Sequence, residues 1–84
     1  MSYAIEILRS AEKQLASISR QDQPRVIAAI RTLANEPRPP GCKKLTGRPA
    51  WRIRVGVYRV IYEIHDNRLL VLVVAVGHRG NVYR

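Results

Sequence analysis

Arginines alternate with apolar residues on both sides of a short turn in the second half of the chain. Arg52 and Arg54 lie in the stretch WRIRV, and Arg59 opens the stretch RVIYEI. A guanidinium can hold a phosphate through two parallel hydrogen bonds, and it keeps its charge at physiological pH. These residue types at this spacing predict a site for a phosphate or a related polyanion.

The last nine residues, VGHRGNVYR, add groups that can move protons and stack on bases. Cleaving an RNA phosphodiester through the 2′-hydroxyl requires that this hydroxyl lose its proton, that the phosphorane charge be stabilised and that the leaving 5′-oxygen gain a proton. Arg79 suits the second task, His78 suits an acid or base role, and Tyr83 suits stacking or proton transfer. On residue types alone, a structural role for His78 stays open.

No metal and no cofactor is expected. The six carboxylates are spread through the chain without the cluster that holds magnesium. A single cysteine, Cys42, cannot build a disulfide framework or a cysteine-based zinc site within the chain, and we interpret it as a spectator. The chemistry expected of the arginines is therefore metal-independent.

Positive charge is concentrated in the second half of the chain. The formal net charge is +9; residues 38–84 carry ten basic and two acidic side chains, whereas residues 1–37 carry five basic and four acidic ones. An imbalance this large predicts a polyanionic partner such as RNA, or an acidic protein, with a merely solvated surface as the alternative. The cations expected to bind RNA around the site are Arg52, Lys43, Lys44 and Arg48.

Length and hydropathy indicate one domain over residues 1–84. With 46% apolar residues, the chain has material for a single modest core. The start, MSYAIEIL, lacks the features of a signal peptide, and the longest apolar run, residues 69–76, is far shorter than the roughly 20 residues of a membrane span. We therefore expect a cytoplasmic protein without membrane contact.

The elements predicted to position these residues are one strand, a helical hairpin and a three-stranded meander. YAIEIL alternates like a strand, residues 10–36 have the spacing of two amphipathic helices, and Asp22 and Pro24 mark the start of the second helix. Residues 37–50 form a turn-rich connector. The remaining stretches alternate as three strands, of which the last is predicted to be central and covered on both faces. The expected fold is α+β: an N-terminal strand, a two-helix hairpin, then a three-stranded antiparallel meander, all strands forming one antiparallel sheet with the helices on one face.

The first hairpin of the meander has a specific register. If Gly56-Val57 is a two-residue loop, Arg54 lies directly opposite Arg59. Like charges in opposed positions destabilise a sheet by up to about 1 kcal/mol, so this arrangement predicts an anion that binds both. The alternatives are that the cations splay into water, that Glu63 neutralises one of them, or that a longer loop breaks the pairing.

The second hairpin decides how the end of the chain meets these arginines. A two-residue turn at Asp66-Asn67 is predicted to put His78 in step with Arg59, that is, on the same face of the sheet. A loop longer by one residue is predicted to put Arg79 on that face instead. Both alignments bring the end of the chain near the arginines without fixing which side chain points inward.

The stretch KKLTGRPAWRIRVGVYRVIYEI, followed by VLVVAVGHRGNVYR, strongly resembles the RelE branch of the RelE/ParE toxin superfamily. The resemblance covers essentially the whole chain, and its specific part is the hairpin joined to the terminal VGHR--VY. It implies a microbial-ribonuclease-like fold and the toxin half of a bacterial toxin–antitoxin pair, which cleaves messenger RNA in the ribosomal A site. Residue by residue, it assigns Arg59 and Arg79 to the scissile phosphate and Tyr83 to stacking on a base.

The chain departs from the family pattern where the general base is expected. Arg52 and Arg54 match positions at which some relatives carry lysines, one of which is proposed to be that base. Arginine stays protonated in proteins and cannot readily accept the 2′-hydroxyl proton. His78 is therefore our candidate for an acid–base role, and Arg54 is grouped with the catalytic arginines.

Three functions are compatible with these residues. The first is a ribosome-dependent endoribonuclease toxin, an mRNA interferase, which inhibits translation. The second is a ParE-like inhibitor of DNA gyrase without nuclease activity, and the third is a catalytically inert RNA-binding relative. The set Arg59, Arg79 and Tyr83 favours the first, because a gyrase inhibitor has no use for a phosphate site with a stacking ring. The expected partners are the ribosome with its messenger RNA and a cognate acidic antitoxin, in an oligomeric toxin–antitoxin complex.

Overall fold

Residues 2–78 are described in the computed structural model of the protein, and they form two helices on one face of a five-stranded sheet. The elements in chain order are β1 (Ala4–Ile7), α1 (Arg9–Ala16), α2 (Gln23–Thr32), β2 (Lys43–Lys44), β3 (Trp51–Val55), β4 (Tyr58–His65), a 3-10 turn (Asp66–Arg68) and β5 (Leu70–His78). Across the sheet the strand order is β1-β5-β4-β3-β2. The predicted α+β class is confirmed, with the meander of β3, β4 and β5 at its centre.

The sheet differs from the predicted one at both edges. β1 runs parallel to β5, with Ala4 opposite Leu70, because the helical hairpin carries the chain across before the meander begins. β2 lies inside the stretch predicted as a connector, and its Lys43 pairs with Arg52 of β3. No apolar alternation marks so short an edge strand in the sequence.

The helices bury the stripes that their spacing predicts. Asp22 stands in the N-cap position of α2 and Pro24 in its first turn, and the buried residues Val26 and Ile30 are four positions apart. Both helices pack on the same face of the sheet and share one core with it. The buried core consists of Ala11, Ile18, Val26, Ile30, Leu33, Ile53, Val60, Tyr62, Val71, Val73 and Val76.

Strand alternation separates two faces of the sheet with different chemistry. On β3 and β4 the helix face carries Trp51, Ile53, Val55, Tyr58, Val60 and Tyr62, and the opposite face, which we call the arginine face, carries Arg52, Arg54, Arg59, Ile61 and Glu63. β5 lies between β1 and β4 and is therefore an inner strand of the sheet, as predicted. Within residues 2–78 its helical cover lies on the helix face.

Polar contacts around Asp66 fasten the end of the sheet that is remote from the β3–β4 turn. The hydroxyl of Tyr3 donates to Asp66 at 2.6 Å, and the guanidinium of Arg38 donates to it at 2.9 Å. The Arg38 bond, followed by the Tyr3 bond, lowers the pKa of Asp66. Nearby, the Tyr62 hydroxyl donates to the carbonyl oxygen of Pro37 at 2.7 Å. These contacts hold the N-terminus and the connector against the β4–β5 turn.

Candidate functional site

The turn between β3 and β4 places two arginines directly opposite each other. The loop has two residues, Gly56-Val57, and Gly56 adopts a φ of 61°, a conformation that glycine reaches without strain. Arg54 therefore pairs with Arg59, which confirms the predicted register. Both residues belong to the arginine face, so two guanidiniums concentrate positive charge at this end of the hairpin.

Arg52 extends this positive charge away from the turn on the same face. It lies opposite Ile61 of β4 and opposite Lys43 of β2. Only 6% of Arg52 is exposed, and its Nε has no hydrogen-bond partner among residues 2–78. A buried charged donor without an acceptor carries a desolvation cost, which a bound anion would offset.

Glu63 lies on the arginine face but is engaged with a histidine. Its Oε1 is 2.9 Å from Nε2 of His65, within hydrogen-bond distance, and among residues 2–78 the Glu63 carboxylate makes this contact and none with Arg54 or Arg59. The alternative in which Glu63 neutralises one of the two opposed arginines is therefore not supported. His65 stands six residues from Arg59 along β4, about 20 Å away, so its imidazole lies too far to share one phosphate with Arg59.

The connection between β4 and β5 is longer than either predicted turn. Four residues, 66–69, separate the paired residues His65 and Leu70. Farther along, β5 contains a bulge that leaves Val74 as an extra residue. A count along the chain that assumes a short turn and no bulge therefore gives the wrong partner for every later residue of β5.

The bulge determines which residues of β5 lie opposite Arg59 and its neighbour Tyr58 on β4. Gly77 lies opposite Arg59, and His78 lies opposite Tyr58. The predicted alignment of His78 with Arg59 is therefore wrong. The alternative alignment, of Arg79 with Arg59, stays a prediction because Arg79 lies outside the described residues. Because Tyr58 belongs to the helix face, His78 also lies on that face, across the sheet from the arginine pair. Its acid–base role stays a prediction.

A second group of polar side chains lies on the helix face, directly behind the arginine pair. The Tyr58 hydroxyl donates to Oδ2 of Asp22 at 3.1 Å, and the Tyr58 ring meets the His78 ring edge-on with 5.7 Å between centroids. Partial burial, followed by the Asp22 bond, raises the pKa of Tyr58. Arg25 pairs with Asp22 at 3.8 Å and contacts the turn at Gly56. Sequence reasoning missed this group, because no spacing relates residue 22 to residue 58.

The other cations predicted to bind RNA are distributed around the hairpin. Lys43 lies opposite Arg52 and so shares the arginine face. Lys44 lies opposite Trp51, whose side chain packs against the core on the helix face. Arg48 is exposed in the connection between β2 and β3. Of the three, Lys43 is thus the one that continues the row of arginines.

Two predicted site residues, Arg79 and Tyr83, lie outside the described residues, and their roles stay predictions. Within residues 2–78, no group of three or more His, Cys, Asp or Glu side chains could hold a metal ion. No helix in the same range is long and apolar enough to cross a membrane.

An apolar cavity of about 310 Å³ opens beside β1, at the edge of the sheet. Its lining residues are Ile5, Ile7, Leu15, Ile27, Ile30 and Arg31. An apolar opening with a cation among its lining residues suits an amphipathic segment of another protein that carries acidic side chains.

Solved structures share this fold over nearly the whole chain. A chain of the archaeal RelE–RelB complex from Pyrococcus horikoshii has a TM-score of 0.84 and 27% identity, covering 98% of this chain and 100% of that one. A chain of the RelBE2 toxin–antitoxin complex from Mycobacterium tuberculosis has a TM-score of 0.84 and 24% identity, covering 94% of this chain and 100% of that one. Toxin RelG of Mycobacterium tuberculosis is 29% identical over 92 residues, covering 100% of this chain and 99% of that protein.

The fold and these relatives define the class of the protein: it is the toxin of a type II toxin–antitoxin system, in the RelE/ParE superfamily. The chain belongs to the family described as the ParE toxin of type II toxin–antitoxin systems, parDE, which it matches over residues 5–83. The resemblance found in the sequence is thereby confirmed.

Proposed function

We propose that this toxin is an endoribonuclease that cleaves messenger RNA in the ribosomal A site and thereby inhibits translation. The observation that carries the proposal is the opposed pair Arg54 and Arg59, on a face that no helix of residues 2–78 covers. Two guanidiniums at directly paired positions can hold one phosphodiester and stabilise the charge that develops on it. The likeness to RelE chains supports the proposal at the level of the fold.

In the proposed reaction the 2′-oxygen attacks the adjacent phosphorus, and the bond to the 5′-oxygen breaks. The products are a 2′,3′-cyclic phosphate and a 5′-hydroxyl. Arg54, Arg59 and Arg79 stabilise the pentavalent phosphorane, and Tyr83 stacks on a neighbouring base. Arg79 follows Gly77 by two residues, which span at most about 7 Å, and Gly77 is the partner of Arg59. This short link supports a common site for Arg59 and Arg79.

The two proton transfers need a group other than arginine. The 2′-hydroxyl must lose a proton to a base, and the leaving 5′-oxygen must gain one from an acid. We assign one of these transfers to His78. Its ring contacts Tyr58 on the helix face, so the end of β5 has to rearrange when RNA binds.

The row of cations on the arginine face gives the RNA a direction across the sheet. Arg54 and Arg52 are two residues apart on one strand, about 6.6 Å, a step comparable to that between neighbouring phosphates of a single strand. Lys43 continues the row on β2. Lys44 and Arg48 contact the RNA, or the ribosome around it, from the side. Cleavage should therefore weaken steeply as salt is added.

The proposed protein partner is a cognate antitoxin whose inhibitory segment is acidic. Carboxylates placed on the arginine face would neutralise the cations that hold the phosphate. An amphipathic helix of the antitoxin can place its apolar side in the cavity beside β1. We propose that the two proteins form an oligomeric complex in the cytoplasm, without membrane contact. A complex that survives a pull-down at high salt would show that the apolar contacts dominate.

A second candidate function is inhibition of DNA gyrase through a protein–protein contact. The description of the family as ParE toxin favours it. Such an inhibitor does not use a phosphate site, so substitutions in the arginine pair would leave it toxic. The same fold can serve either function, and the site residues separate them.

Primer extension on messenger RNA after induced expression tests the proposal. The wild-type toxin should yield fragments cut in the coding frame, and Arg59→Ala and Arg79→Ala should abolish them and restore growth. Arg68→Ala is a matched control, because Arg68 is exposed in the turn at the remote end of β4, and it should cleave like wild type. Growth arrest with intact messages and broken DNA would favour gyrase inhibition. An absence of growth arrest would indicate an inert RNA-binding relative.

A further inference from the structure

Asp22 lies at the start of α2, but its side chain does not cap the helix. It stands in the N-cap position of α2, yet its side chain makes no capping hydrogen bond. Its Oδ2 instead accepts hydrogen bonds from the hydroxyls of Tyr58 and Ser19, each at 3.1 Å. Aspartate is among the best N-cap residues, so its attachment to β4 points to a role in the sheet.

These contacts join α2 to the turn that carries the arginine pair. Tyr58 is the first residue of β4 and the neighbour of Arg59. One turn of helix after Asp22, the guanidinium of Arg25 contacts the backbone of the loop: a Cβ on Gly56 would lie 2.6 Å from its Nη2. The start of α2 therefore contacts both the loop and the first residue after it.

The arginine pair needs such support. Arg54 and Arg59 are the second pair from the loop, and their like charges favour separation of the two strands at this end. One phosphodiester held by both guanidiniums requires a fixed spacing between them. A displacement of about 1 Å in such a site can lower a rate about a hundredfold.

We propose that Tyr58 and Asp22 are positioning residues: their hydrogen bond fixes the end of the β3–β4 hairpin against α2 and thereby sets the spacing of Arg54 and Arg59 on the opposite face. The inference rests on the proposed function.

A second tyrosine on the same strand provides a matched control. Tyr62 lies four residues farther along β4, and its hydroxyl donates to the Pro37 carbonyl, away from the β3–β4 turn. Tyr58→Phe and Tyr62→Phe each remove one hydroxyl and keep the ring, so Tyr58→Phe preserves the ring that contacts His78. On ribosomes programmed with a messenger, Tyr58→Phe should lower kcat about tenfold with an unchanged KM, whereas Tyr62→Phe should keep the wild-type kcat.

Asp22 allows a rescue test. Asp22→Asn keeps an oxygen acceptor for the Tyr58 hydroxyl and should retain the wild-type kcat, whereas Asp22→Ala should reproduce the loss of Tyr58→Phe. Melting temperatures of the same samples separate positioning from stability. A merely structural role predicts that kcat follows the melting temperature in all four variants.

The possible results distinguish this inference from the proposed function. Equal kcat values for Tyr58→Phe and Tyr62→Phe would overturn the positioning role, and so would an inactive Asp22→Asn that is folded. A folded wild-type protein that cuts no messenger would overturn the proposed function. Amide hydrogen exchange of residues 54–59 would then decide the structural part: exchange about tenfold faster in Tyr58→Phe alone supports it, and unchanged exchange refutes it.

Discussion

Gly77 of β5 lies directly opposite Arg59 of β4. Glycine has no side chain, so β5 places no side chain of its own beside Arg59 at this paired position. The bulge at Val74 produces the pairing, since without the extra residue Val76 would stand opposite Arg59. The bulge thereby keeps an apolar side chain away from the place where we propose that the RNA backbone approaches.

Arg54→Gln should change stability and activity in opposite directions. The variant removes the opposition of like charges, so the free energy of unfolding should rise by up to about 1 kcal/mol at low salt, and the gain should shrink as salt is added. Cleavage should fall about a hundredfold, because one donor to the phosphorane is lost. Urea unfolding and cleavage assays on the same samples measure both effects. Arg68→Gln should change neither, and a less stable Arg54→Gln would contradict the expected repulsion.

His78→Gln should remove one limb of the pH–rate profile. Histidine side chains ordinarily titrate between about pH 5 and 8, so an acid or base role makes kcat/KM change in that range. The variant should lower kcat by about 10²- to 10⁴-fold, as is typical for loss of a general acid or base. The measurement is kcat/KM from about pH 5 to 9 for both proteins. A profile of unchanged shape in the variant would restrict His78 to its contact with Tyr58.

Gly56→Ala should destabilise the protein by about 1–2 kcal/mol, because a residue with a Cβ is strained at the φ of 61° that this loop requires. The added methyl would also meet Arg25, but that side chain is exposed and can move aside. Gly56→Asn should cost less, since asparagine tolerates the left-handed region better than alanine. Urea denaturation compares the two variants. Equal losses would mean that contact with Arg25, and not backbone strain, sets the cost.

Asp66→Asn should weaken the dependence of the melting temperature on pH under acidic conditions. The bonds from Arg38 and Tyr3 lower the pKa of Asp66 from its ordinary value of 3.8. A carboxyl with a lowered pKa in the folded state adds stability above that ordinary value, and the contribution is lost as the pH falls through the folded value. The melting temperature of the wild type should exceed that of the variant at neutral pH, and the difference should shrink below about pH 4. Glu36→Gln is the control, and two parallel Asp66 curves would contradict the expectation.

The parts of the fold that depend on local chemistry could be predicted from the sequence. A glycine at the first loop position set the β3–β4 turn, and from it the pairing of Arg54 with Arg59. Asp22 and Pro24 marked the start of α2 for the same reason, since helix starts depend on a few adjacent residues.

The parts that depend on distant contacts could not be predicted. Val74 is bulged within an unbroken apolar run, where no residue type distinguishes it from its neighbours. That single residue moves His78 to the helix face. The hydrogen bond between Asp22 and Tyr58 joins residues 36 positions apart, and only the packing of α2 on the sheet brings them together.

The strand β2 consists of two lysines at the outer edge of the sheet. An outer edge offers unsatisfied backbone donors and acceptors to any strand of another molecule, and natural proteins discourage that pairing with short, charged edges. β2 is both short and charged. Both features discourage a second copy of the chain from adding a strand at this edge, a pairing that would bury Lys43 and Lys44.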